Sequence, residues 1–152
     1  MTRIRILIAF SAAIAMVAAL ATASSAADKK LYATMTGKQE KPPADPDGVA
    51  SAVLTFKSNK VCYDFRPKKA GLTFTAGHIH TGGPNTAGDV LIPLFTTPKK
   101  VKGGKITGCS GPIKASVLNK VRAKPSGYYA NIHTAKYPGG AVRGQLSTIK
   151  TS

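Results

Sequence analysis

Glycine and proline punctuate this chain so evenly that the apolar stretches between them stay short. With 15 glycines and 10 prolines, the segments are bounded by turn formers, which is the pattern of a sandwich or barrel of many short strands. Leu31, Ala33 and Met35 alternate with Tyr32, Thr34 and Thr36, as in a half-buried strand. Pro42, Pro43 and Pro46 make Lys38–Asp47 a loop. Gly48–Phe56 and Val61–Phe65 read as two strands joined at Ser58-Asn59, with Val61, Tyr63 and Phe65 on one face. Leu72–His80 reads as one further strand. Val90–Phe95 is another, bulged or at an edge because of Pro93. Lys99–Gly104 reads as a turn and Lys105–Cys109 as a short extended piece. Ile113, Val117, Leu118 and Val121 have helical spacing, so one short helix is predicted, ended by Pro125 and Gly127. Tyr128–Thr134 and Ala141–Thr148 are the predicted closing strands.

The first 27 residues follow a different rule. Arg3 and Arg5 precede the uncharged apolar run Ile6–Ala21, and small residues follow to Ala27. That order is the one of a secretory signal, with cleavage expected near Ala26 or Ala27. The run is short for a membrane span, which needs roughly 20 apolar residues. Residues 28–152 are then the mature domain, exported to a periplasmic or extracellular location with no membrane anchor left after cleavage. Both cysteines, Cys62 and Cys109, fall in this part, and an even pair in an oxidising compartment is expected to form one disulfide.

Charge restricts the partners. The whole chain carries a net charge of +16, and removing Arg3 and Arg5 leaves 20 basic against 6 acidic residues. Such a field attracts anionic polymers and surfaces. The lysines are scattered, and no interleaving of basic and aromatic residues marks a specific nucleic-acid reader. An anionic envelope polymer or an unidentified protein is the expected partner.

Three histidines carry the metal chemistry. His78 and His80, two apart in a strand, project from one face. If the Tyr128–His133 strand lies alongside, His133 adds a third imidazole. Such a set suits copper or zinc and leaves a coordination position open. The competing expectation is that these are polar strand-end residues bonded to loops. The carboxylates Glu40, Asp45, Asp47, Asp64 and Asp89 show no spacing for acid-base catalysis, and Asp45 and Asp47 are explained by turn formation. Ser110 lacks the context of a hydrolase nucleophile, so no catalytic residues are assigned. Arg143 is expected to bind a carboxylate or backbone carbonyls, or else to guide anions toward the histidines. Tyr129 and Asn131 share a face with His133, while Ala130 and Ile132 point the other way.

Three motifs carry a family resemblance. They are Met35–Pro43, then Gly77–Gly82 with Gly88-Asp89-Val90, then Tyr129–Thr134 with Pro138–Leu146. In this order, over about Leu31–Leu146, the chain resembles a CHRD (chordin-type) domain. It departs from the family pattern at Ala141, where an acid is usual, and at Asp89, where proline is more common. The resemblance implies an all-β, immunoglobulin-like antiparallel sandwich and an exported module with a binding or structural role and no enzymatic activity. Gly77–Gly88 is also similar to the H-x-H loop of copper–zinc superoxide dismutases. That likeness implies a dismutase-like sandwich, with copper at His78, His80 and His133 and Arg143 as the anion guide. The bridging histidine and the zinc loop of those enzymes have no counterpart here.

Overall fold

The computed structural model describes residues 28–150, so the expected signal segment 1–27 lies outside the described residues. The domain is built around one eight-stranded sheet. Its strands are β1 (Lys29–Thr36), β2 (Val49–Phe56), β3 (Val61–Pro67), β5 (Ala76–Thr81), β6 (Val90–Phe95), β8 (Ile106–Cys109), β9 (Tyr128–His133) and β10 (Val142–Gln145). Two short strands, β4 (Thr73–Phe74) and β7 (Lys99–Lys100), pair separately. In the large sheet the order is β6-β5-β9-β10-β1-β2-β3-β8, and its named pairings are antiparallel.

Alternation decides which side of each strand is buried. Ala50, Ala52, Leu54 and Phe56 of β2 and Val61, Tyr63 and Phe65 of β3 point inward, as period-two patterning dictates. The sheet curls until its ends meet across the core. Phe95 of β6 packs on Tyr63 and Phe65 of β3, with ring centroids 5.4 and 6.4 Å apart. The fold is therefore an all-β antiparallel sandwich, nearly closed like a barrel. Helix α1 (Ala115–Ala123) buries Leu118 and Val121, and its Arg122 stacks over Phe56. Ile113, predicted to open the helix, lies before it.

Two segments differ from their sequence reading. Leu72–His80 is divided: β4 leaves the main sheet to pair with β7, and β5 starts afresh at Ala76. Lys99-Lys100, read as part of a turn, is the strand that captures β4. Alternation cannot reveal either, because strand partners are chosen by tertiary contact. Val90–Phe95 is an edge strand of the large sheet, and its pairing with β5 carries register shifts beside His78 and His80, with Pro93 opposite His78.

Cys62 and Cys109 face each other across β3 and β8 and form a disulfide, tying the far edge strand to its neighbour. Among the described residues, no helix is long and apolar enough to cross a membrane.

Candidate metal centre

The site grows from the register between β5 and β9. His78 sits opposite Asn131 and His80 opposite Tyr129, which leaves His133 diagonal to His78, within reach of a long side chain. Ile79, Ala130 and Ile132 alternate with these residues and fill the core. The polar set therefore occupies the outer face of the sheet. The neighbouring strand continues it, because Arg143 of β10 pairs with Asn131, and Gln145 with Tyr129. Two loops cover this layer. The first, Gly82–Asp89, joins β5 to β6, and the second is the proline-rich connection between β1 and β2.

The three imidazoles converge. One ligand nitrogen from each of His78, His80 and His133 lies within 4.8 Å of the other two. Metal–nitrogen bonds of 2.0–2.1 Å in a tetrahedral site place donors roughly 3.4 Å apart, so rotamer adjustments of about an ångström close the set. Two rings are already oriented. His80 Nδ1 donates to Gly88 O at 2.8 Å, and His133 Nδ1 donates to Pro138 O at 2.9 Å. A proton fixed on Nδ1 leaves Nε2 as a bare lone pair, which is how outer-shell partners prepare histidine ligands. His80 Nε2 is buried and has no hydrogen-bond partner. His133 Nε2 faces His78 Nδ1 at 3.0 Å and Asn131 Oδ1 at 3.1 Å. Burial first, then the neighbouring imidazoles, push the pKa of His78 down to about 4. Burial also lowers that of His133. Both rings are therefore neutral at pH 7, the form that binds metal.

Behind the three imidazoles lies a stack. His80 lies flat on Tyr129, with centroids 4.9 Å apart and planes at 9°. The Arg143 guanidinium covers the opposite face of Tyr129 at 3.4 Å, a cation–π arrangement. Arg143 is 2% exposed. It donates to Thr86 O and Gly83 O, both at 3.0 Å, while Gln145 Nε2 donates to Gly82 O at 2.8 Å. Of the two roles expected for Arg143, its contacts are those of the carbonyl-binding one: it staples the loop whose Gly88 orients His80.

Glu40, whose spacing in the sequence points to no catalytic role, joins the site in the structure. It is buried, and its Oε1 has no partner. Burial raises its pKa to about 7, against opposing pulls from the Arg143 charge and from Asn131. Gly140 makes room for it, since a Cβ there would lie 2.5 Å from Glu40 Oε1. The signal available was the position of Glu40 inside the opening motif, but its partners belong to the closing motif. Asp45 accepts from Asp47 N at 3.3 Å, the turn-forming behaviour expected of it.

No curated protein and no solved structure matches the chain. The family model described as the CHRD domain matches residues 31–146. That span holds all three histidines, Glu40, Asn131, Arg143 and the disulfide, and it comprises most of the sequence: the chain belongs to the CHRD domain family.

Proposed function

We propose that this protein is an exported CHRD module, without enzymatic activity of its own, that binds one transition-metal ion through His78, His80 and His133. The observation that carries this reading is the pair of Nδ1–H···O=C bonds from His80 and His133. Together they turn two Nε2 lone pairs toward the His78 ring. An all-imidazole set without thiolate favours copper over zinc by intrinsic affinity. CHRD is an extracellular-type domain, and the disulfide suits an oxidising compartment. Both agree with export through the segment 1–27.

The test is elemental analysis of the protein after loading with copper and zinc and desalting, beside the His78→Ala/His80→Ala/His133→Ala variant. Near-stoichiometric copper in the wild type, lost in the variant, is expected. A folded wild type that retains neither metal would sink the reading and leave the histidines as loop anchors. A dismutase-like activity is the less favoured extension, because Arg143 is buried and committed to two carbonyls. If it nonetheless guides superoxide, Arg143→Ala slows a measured dismutase rate and weakens its salt dependence.

A separate observation favours an anionic envelope polymer as partner. Lys99, Lys100, Lys102 and Lys105 line one shallow groove of about 490 Å³ that no carboxylate lines. None of the four is in an ion pair with a described residue. Binding to an immobilised polycarboxylate should fall steeply with salt, since exposed charges are screened beyond about 8 Å at physiological ionic strength. It should also weaken more in a variant with these four changed to Gln than in one with Lys30, Lys38, Lys60 and Lys120 changed to Gln. Equal weakening would reduce the effect to net charge.

A further inference from the structure

Asn131 is more than a neighbour of the histidines. It is 2% exposed, sits directly across from His78 in the β5–β9 pairing, and has Oδ1 3.1 Å from His133 Nε2. His133 Nδ1 must carry that ring's single proton, because it faces the Pro138 carbonyl at 2.9 Å. His133 Nε2 is therefore a bare acceptor, and so is Asn131 Oδ1. Two acceptors this close repel unless a proton or a cation lies between them. In the metal-free protein the proton is that of His78 Nδ1, which reaches His133 Nε2 at 3.0 Å and also hydrogen-bonds with Asn131.

A metal ion bound here would take the place of that proton. His78, which is half-buried, would then carry its hydrogen on Nε2. Nδ1 then becomes a lone pair like the others. The three imidazole donors lie within 4.8 Å of one another, and Asn131 Oδ1 stands 3.1 Å from one of them, His133 Nε2. The orientation of the amide has its own support. The Asn131 Nδ2 end lies toward Gly140 and the Glu40 carboxyl, which turns Oδ1 toward the rings. From this we infer that Asn131 Oδ1 is the fourth ligand of the metal, completing a site of three imidazole nitrogens and one amide oxygen. The inference rests on the three-histidine reading above. It changes the nature of the site, because a fourth protein ligand fills the position that three histidines alone would leave to water or substrate. The metal is thereby held in a closed, structural or carrier-type site.

The experiment is copper(II) titration of the protein against a competing chelator, with electron paramagnetic resonance of the copper-loaded wild type, Asn131→Asp and Asn131→Leu. Asn131→Asp keeps the shape and supplies an anionic oxygen. It should bind copper more tightly and lower the g∥ value. Asn131→Leu should weaken binding by at least about tenfold, the scale on which even outer-shell partners act, and should alter the spectrum. A purely structural Asn131 would change thermal stability in these variants but leave the copper spectrum as in the wild type, which would overturn the inference. Should Asn131→Leu fail to fold, an unchanged g∥ in Asn131→Asp overturns it equally. Failure of the parent reading looks different, because then the wild type itself binds no copper and gives no spectrum.

Discussion

At the scale of single residues, the polar layer holds groups whose proton affinities are shifted in opposite directions, Glu40 upward and His78 and His133 downward. The Glu40 pKa is about 7 in the folded protein, above its ordinary 4.5, so the native state keeps a proton that the unfolded chain gives up. Its contribution to stability is complete below pH 4.5 and is lost as pH rises through 7. His78 does the reverse. Its folded value of about 4 lies below 6.5, so its contribution is complete above pH 6.5 and is lost as pH falls toward 4. Thermal denaturation of metal-free protein across pH 4–8 should separate them. Glu40→Gln should gain stability relative to the wild type between pH 4.5 and 7 and level off above. His78→Asn should make the acid-side decline shallower, leaving the part that the lowered His133 pKa contributes. A Glu40→Gln curve parallel to the wild type over this range would show that the carboxyl is not held protonated.

At the scale of elements, the Gly82–Asp89 loop and the outer face of β9 and β10 behave as one unit. Arg143 binds two loop carbonyls and stacks on Tyr129, which stacks on His80. Arg143→Met keeps the bulk and removes every donor, leaving the partly buried Gly83 and Thr86 carbonyls without their partner, at a cost of about 1–3 kcal/mol. Copper affinity should fall with it, because the Gly88 carbonyl that orients His80 rides on the same loop. Urea denaturation and copper titration of the one variant check both effects. Gly140 has φ +132° and lies against Glu40 and Asn131. Gly140→Ala is therefore expected to destabilise by about 2 kcal/mol, read as a lower urea midpoint. These couplings were only partly legible in sequence. The H-x-H spacing and the shared face of Tyr129, Asn131 and His133 follow from strand periodicity. That Arg143 reaches Gly83 and Thr86, or that Glu40 backs Asn131, depends on which strands become neighbours, and periodicity carries no information about that.

At the scale of the whole molecule, the sheet is held at both ends by different means. Phe95 packing against Tyr63 and Phe65 closes one side, and the Cys62–Cys109 disulfide ties β8 to β3 with a sequence separation of 47. In the chain-entropy account such a crosslink contributes roughly 4 kcal/mol. The Cys62→Ser/Cys109→Ser variant should lose about that much, measured by urea denaturation, while the copper retention expected on the proposed reading stays as in the wild type because the histidines sit on other strands. The all-β class, one short helix and the family were legible in the sequence, because turn formers, period-two alternation and residue type are local properties; the disulfide was an expectation that the Cys62–Cys109 contact fulfils. Only the tertiary structure decided that β4 leaves the main sheet for β7, that His133 meets His78 and His80, and that Glu40 and Asn131 stand behind them. Those outcomes depend on strand order and register, which are fixed by how the whole sheet curls to bury its inner face.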